Sequence, residues 1–236
     1  MPAAPWVMTQ TWHDLLFAHW PIEPQALRAR VPAELGLDLH DGRAWLGVVP
    51  FRMTNVAPRG IRWLPFVSAF PELNVRTYVT CGSRPGVYFF SLDAGSAIAV
   101  VLARVLFGLP YFAAAMDVRA GPDGVRYASR RRRGGRASFD ARYQPVGEAA
   151  APEPGTLDYF LTERYCLYTV SRSRRVRRVD IHHPRWQLQR AEGEVRADRL
   201  VAAAGLRLPA VPPLLRFSKR QDAVAWLPRA VLSRAT

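Results

Sequence analysis

The sequence predicts an α+β protein, mostly antiparallel β, built around a curved sheet or barrel with a few peripheral helices. Three observations carry this. Twenty prolines and sixteen glycines break the 236 residues into short segments, which favours strands over long helices. Many of those segments alternate in polarity or are rich in β-branched and aromatic residues. Two turns, Gly121-Pro122-Asp123-Gly124 and Gly134-Gly135, sit between such segments and read as hairpins.

The elements follow in order. Pro24 suits a first helical turn and Pro32 stops the helix, so 24–31 is the first helix candidate. Strands are expected at 44–53, 73–81 and 87–92. Ser96 is an N-cap candidate and Gly108 a stop with Pro110 beyond, which predicts a helix over 96–107. That helix is apolar almost all round, so it is expected to be buried. Asp93, just before it, is expected to cap it. Strands follow at 113–119, 125–131 and 137–143. The stretch 146–155 (VGEAAAPEPG) reads as a surface loop, because strand-like patterns continue on both sides. A short helix at 156–161 precedes strands at 164–170, 177–182 and 187–195. Asp198 is placed to cap a helix over 198–204, which Gly205 ends, and a last strand covers 223–227. There is no internal repeat, and 1–236 reads as one domain.

The composition, 49% hydrophobic and 22% charged, is that of a globular chain rather than a disordered one. The net charge is +14, yet Lys219 is the only lysine, so a single side-chain amine is available for imine chemistry. Two arginine clusters stand out: 130–133 with Arg136, at a hairpin tip, and Arg172, Arg174, Arg175, Arg177 and Arg178, between two strands. They read as solvated basic surface. They lack the interleaved aromatics of a single-strand stacking platform, so nucleic acid is the lesser reading.

Cys81 and Cys166 form no CxxC motif and are too few for a disulfide scaffold, so a reducing cytoplasm is the expected setting. No basic segment leads into an apolar run at the start, so no signal peptide is expected. The longest apolar run, 97–107 with Arg104 inside it, is short of the ~20 residues that span a bilayer. No HExxH, Cys/His cluster, GxSxG elbow or glycine-rich phosphate loop is present, and no metal or cofactor is expected.

Side chains alternate along a strand. Glu72, Asn74, Arg76 and Tyr78 therefore share one face, and Leu73, Val75, Thr77 and Val79 the other. The apolar face packs on the core. The polar face either meets water or lines a cavity. Glu72 and Arg76 lie about 13 Å apart along the strand, too far for a tight ion pair. Arg76 suits a carboxylate or phosphate through its planar fork.

The succession ELNVRTYV, GVYFFSLDA, a short apolar helix and FGLPYF resembles the core of the acetoacetate decarboxylase-like superfamily. There, a strand carries a glutamate that points into the active-site cavity, and a Gly-x-Pro-Lys turn carries the Schiff-base lysine. Glu72 matches the glutamate, and Tyr111 stands in the lysine's place. TWHDLLFAHWP, DGRAWLGVVPFRM, PGTLDYFLTERYCLY and IHHPRWQL extend the match over most of the chain and resemble the YqjF-like family, a branch that generally lacks the lysine. The resemblance implies a cone-like antiparallel β-barrel with peripheral helices and a pocket inside the cone. It also argues against Schiff-base decarboxylation. Lys219, in LLRFSKRQD, reads as a solvated loop lysine.

The expected ligand is a small keto or carboxylate compound. Glu72 would be its acid or base, Tyr111 a donor that polarises a carbonyl, and Arg76 the anion anchor. Asn74, Tyr165 and His183 are the further candidate contacts. A metabolite-binding protein without turnover is the alternative. His182 and His183 are adjacent on a strand and point to opposite faces, so they do not share a metal. For each, a satisfied structural histidine is the ordinary reading. Thr162-Glu163-Arg164-Tyr165 is a polar group at a helix-to-strand junction, where a structural ion pair is the ordinary reading and Arg164 or Tyr165 could reach the pocket.

Overall fold

The computed structural model describes residues 2–61, 68–133, 136–171 and 175–231. Its first half contains β1 (Met8–Ile22), α1 (Pro24–Arg28), β2 (Gly36–Leu37), β3 (Ala44–Pro58), β4 (Phe70–Cys81), β5 (Arg84–Ala94) and α2 (Ala97–Leu106). Its second half contains β6 (Tyr111–Gly121), β7 (Gly124–Arg131), β8 (Ser138–Ala150), α3 (Leu157–Thr162) and β9 (Cys166–Val170). β10 (Val176–His182), β11 (Leu188–Arg196), α4 (Asp198–Ala203), β12 (Leu214–Ala225) and β13 (Arg229–Ala230) complete it.

The strands form one mostly antiparallel sheet that returns on itself. Following hydrogen-bonded neighbours from β5 runs through β6, β7, β8, β11, β12, β1, β3 and β4, and β4 pairs with β5 again. A second closure runs from β5 through β9 and β10 to β12. Among the described residues, only β5–β6 and β5–β9 are parallel. Closing a sheet removes the exposed edges at which chains aggregate. It also leaves β12, β1, β3, β4 and β5 common to both rings, so these strands bury both faces. On one side Leu16, Val48, Leu73 and Val75 pack with Tyr127 and Tyr143. On the other, Phe17, Val49, Phe51 and Leu92 pack with Tyr111 and Trp186.

Double burial explains why 8–22 carries no strand signature. Leu15, Leu16, Phe17, Ala18, His19 and Trp20 are buried one after another, so polarity does not alternate. A register break between His13 and Ala18 adds to this, with Asp14 at φ 53°. The Asp14 carboxylate takes Arg52 at 2.5 Å and the Lys219 amine at 2.6 Å, and its carbonyl takes the Tyr143 hydroxyl at 2.8 Å. Burial raises the Asp14 pKa, but hydrogen bonds from Lys219 and Arg52 outweigh it and hold the carboxyl below its usual value. Lys219 lies on β12 rather than in a loop, with an exposed side chain.

Several expectations change. The first half of 146–155 belongs to β8, where Val146 and Ala150 pair with β11. Asp198 is the first residue of α4, not its cap; Ala197 holds that place and offers no side-chain hydrogen bond. α1 ends at Arg28, earlier than expected. The turn at Pro122-Asp123 joins β6 to β7 as expected, with Gly121 opposite Gly124. Gly134-Gly135, Arg172 and Arg174 lie outside the described residues. Arg131 is not solvated surface, because it is buried in an ion pair. α2 is not a buried helix: Ile98, Val101, Leu102, Val105 and Leu106 are each 42 to 65% exposed. Among the described residues no helix is long and apolar enough to cross a membrane.

Candidate functional site

β4 runs between β3 and β5, which sets what its polar face meets. Glu72 lies opposite Phe51 and Ala94, Asn74 opposite Val49 and Leu92, and Arg76 opposite Gly47 and Phe89. Glu72, Asn74 and Arg76 line a cavity of about 220 Å³. The rest of the wall is largely apolar, with Phe17, Phe51, Leu92, Leu106 and Leu167 among its residues. Gly47 makes room for this arrangement. A Cβ there would lie 3.1 Å from the His19 ring and 3.2 Å from Cγ of Arg76.

Tyr111 arrives from the far side of a sharp turn. α2 closes at Phe107, and Gly108 takes φ 67°, a conformation glycine adopts without a steric cost. Leu109 and Pro110 follow, and the Leu92 N–H donates to the Pro110 carbonyl at 3.0 Å. This starts β6 beside β5 and brings Tyr111 level with Leu92. The Tyr111 hydroxyl donates to Oε2 of Glu72 at 2.6 Å, and both residues are buried. Burial lifts the Glu72 pKa to about 8, with the nearby Asp93 charge adding to the rise and the Tyr111 hydrogen bond opposing it. Burial and the Glu72 carboxyl together push Tyr111 well above the usual phenol value. The pair is therefore a protonated acid held by a neutral phenol at neutral pH.

Behind this pair stands an ion pair that sequence reasoning missed. Nε of Arg131 donates to Asp93 at 2.8 Å and 3.0 Å, and the guanidinium lies 3.9 Å from the Phe112 ring centroid. Burial lifts Asp93 to about 6 even though Arg131 pulls it down. Asp93 is thus committed to Arg131 and does not cap α2. Ser96 caps it instead, accepting from the Ala99 N–H at 3.3 Å. Arg131 and Asp93 are 38 residues apart, and Arg131 sits in a run of arginines, so no local signal marks them.

Arg76 has no carboxylate within 4.0 Å among the described residues. Its Nη2 makes two long contacts of 3.4 Å, to the Tyr78 hydroxyl and the Leu161 carbonyl. Its Nε is buried without a partner, and so is Oδ1 of Asn74. The Tyr78 hydroxyl donates its one proton to Leu161 O at 2.8 Å. Nε2 of His19, 2.6 Å away, must therefore donate to that oxygen. Burial and the charges of Arg76 and Arg216 keep the His19 pKa well below its usual value, so the ring is neutral.

His183, Arg164 and Trp186 also line the cavity. His183 is buried, whereas His182 is exposed. The His183 Nδ1 lies 2.8 Å from Pro184 O, and burial lowers its pKa. Arg164 is tied to Asp38 at 2.5 Å. Tyr165 is not among the lining residues. It stacks on His183, with ring centroids 4.7 Å apart, and its hydroxyl donates to Glu163. The other Glu163 oxygen accepts from the Trp186 N–H at 3.0 Å. Nε1 of Trp186 is buried without a partner. The motif IHHPRWQL already contained Trp186, but only the fold turns it to the cavity.

Of the residues expected from the sequence, the structure thus brings Glu72, Asn74, Arg76, Tyr111 and His183 to one cavity and leaves Tyr165 behind its wall. The one lysine is not among the lining residues; its side chain is exposed and its amine is held by the buried Asp14. Among the described residues no three of His, Cys, Asp and Glu gather as a metal site.

Residues 9–222 match the model of the DUF2071 family, described as an uncharacterized conserved protein. The chain is 46% identical over 226 residues to the uncharacterized protein YqjF of Bacillus subtilis, covering 96% of this chain and 93% of that one. Solved structures agree in fold. The acetoacetate decarboxylase-like enzyme from Sphingomonas wittichii RW1 has a TM-score of 0.68 at 16% identity, covering 98% of this chain and 95% of that one. Acetoacetate decarboxylase from Legionella pneumophila has a TM-score of 0.68 at 11% identity, covering 99% and 93%. The enduracididine biosynthesis enzyme MppR, complexed with pyruvate, has a TM-score of 0.66 at 14% identity, covering 100% and 93%.

Proposed function

The chain belongs to the DUF2071 family, and on that footing we propose that it binds a small keto or carboxylate compound in the cavity and moves a proton on it through Glu72. One observation carries this reading. A buried carboxyl with a pKa of about 8 is hydrogen-bonded to Tyr111 on a cavity wall that also holds a guanidinium without a carboxylate partner. An acid or base is most effective when its pKa lies near the working pH, because both forms are then accessible. Arg76 anchors the carboxylate of the ligand through its fork. Ionised Glu72 takes a proton from the carbon beside a carbonyl and, once protonated, returns it there or to another atom. Tyr111 donates to Glu72 while that carboxylate is ionised; once Glu72 holds the proton it can donate to the phenol oxygen, which frees the Tyr111 proton for the carbonyl oxygen. Pyruvate in the fold neighbour MppR is a compound of the same class.

Imine chemistry is not part of this reading, since position 111 is tyrosine and the one lysine amine is bound to Asp14. That same replacement favours the second reading, a metabolite-binding protein without turnover. Proton NMR of 2-oxo acids in deuterated buffer tests the first. Exchange of the protons beside the carbonyl should accelerate with the wild-type chain and not with Glu72→Gln, while both bind. Binding with no exchange for any acid would move the cavity to the second reading. No binding, in wild type or in Arg76→Met, would end both.

A further inference from the structure

We propose that the ligand is an acid with a straight aliphatic tail, and that the tail leaves the cavity over the rim formed by α2. This rests on the cavity being the ligand site and goes on to name what occupies it.

Part of the cavity's polarity is concentrated on one strand. Glu72, Asn74 and Arg76 follow one another on one face of β4, a span of about 13 Å. Three buried atoms on the wall lack partners: Oδ1 of Asn74, Nε of Arg76 and Nε1 of Trp186. An unpaired buried polar atom carries its desolvation cost uncompensated. The set is relieved by a ligand head with acceptor oxygens for Arg76 and Trp186 and a hydroxyl or enol donor for Asn74. Apart from Gln10, Tyr111, Thr162, Arg164 and His183, the remainder of the wall is apolar and suits hydrocarbon.

The rim comes from α2. Ala99, Leu102, Ala103 and Leu106 all line the cavity, and their spacing of three and four puts them on one helix face. Yet Leu102 is 42% and Leu106 53% exposed. The same two side chains therefore bound the cavity and meet water, which makes α2 an opening rather than a closed wall. Ile98, Val101 and Val105 continue the aliphatic surface outward, each more than half exposed. An apolar site of 150 Å³ admits benzene. By that scale about 220 Å³ holds roughly nine non-hydrogen atoms. A longer acid must pass over Leu102 and Leu106, and these residues gain cover when it does.

A series of straight-chain 3-hydroxy and unsubstituted carboxylic acids from four to twelve carbons, measured by calorimetry below their micelle concentrations, tests this. Affinity should rise about fourfold per methylene, or on the order of 200-fold from four to eight carbons. L102N/L106N should flatten the gain beyond eight carbons, and lower the affinity of the long acids more than that of the four-carbon acid. Both leucines are already about half exposed, so thermal melting should stay close to wild type. Short acids that bind with no dependence on length would overturn the tail and leave the cavity reading standing. Failure of every acid to bind would overturn both. A change in sedimentation with no change in length dependence would make this face a contact between copies of the chain and also overturn the tail.

Discussion

Replacing Glu72 with glutamine isolates the group on which the proposed chemistry turns, because glutamine keeps the shape and an acceptor for Tyr111 but cannot ionise. The Glu72 carboxyl titrates near pH 8 in the folded chain and near 4.5 when unfolded. Its folded pKa is raised, so the folded state binds the extra proton between these values. Stability from Glu72 is therefore present below pH 4.5, falls as pH rises, and is lost above pH 8. Between pH 5.5 and 7.5 the loss integrates to about 2.5 kcal/mol. For a chain of this size that is roughly 5–10 °C in melting temperature. Urea or thermal unfolding of both proteins at the two pH values gives the double difference. The wild-type chain should lose about 2.5 kcal/mol more than Glu72→Gln on going to pH 7.5. Equal pH slopes in the two proteins would show that Glu72 ionises as easily as a surface carboxylate, and the acid–base reading would go with it.

Arg131→Met should destabilise by roughly 3–5 kcal/mol in urea, because it leaves the Asp93 carboxyl buried without its cation; pairing it with Asp93→Asn should recover much of that loss. Asp93→Asn alone removes a like charge near Glu72, so the midpoint of the Glu72 pH–stability curve should move to lower pH. Tyr111→Lys places an amine beside Glu72, and borohydride with acetoacetate should then trap an adduct by mass spectrometry at residue 111. The wild-type chain should trap none, at residue 111 or at Lys219. A bound anion near Glu72 resists its ionisation, so the affinity of an anionic ligand should be level below pH 8 and fall by up to about tenfold per pH unit above it in calorimetry.

How far the site could be read from the sequence depended on whether the cause was local. The alternation of Glu72, Asn74 and Arg76 with Leu73 and Val75 is a property of one strand, and the structure keeps it intact, with one set on the cavity and the other in the core. The helix stop at Gly108 and the cap at Ser96 are also local, and both appear where expected. Long-range causes left no such trace. β1 is hidden because two rings share it, and nothing in Met8–Ile22 announces a second buried face. Arg131 reads as one of several surface arginines until Asp93 and Phe112 close around it. The apolar α2 reads as a core helix, because hydrophobicity reports what a side chain prefers and not whether a partner exists. That is why its exposed side chains became informative only in three dimensions.

The tyrosine at position 111 does more than remove an amine. A lysine there would set a cation against Glu72 and hold the carboxyl ionised. A phenol supplies one hydrogen bond and no charge, so burial governs and the Glu72 proton stays on to about pH 8. The wall is then neutral at Glu72 and Tyr111, and Arg164 is already matched by Asp38. His19 and His183 are kept neutral by burial. Among the described residues that line the cavity, the positive charge left without a carboxylate is Arg76. In the proposed function, an anionic ligand head is therefore drawn to one end of the polar strip, and the proton to be exchanged waits at the other. Loss of the amine closes the route through an imine, but it creates the conditions under which a carboxyl can act as a general acid at neutral pH.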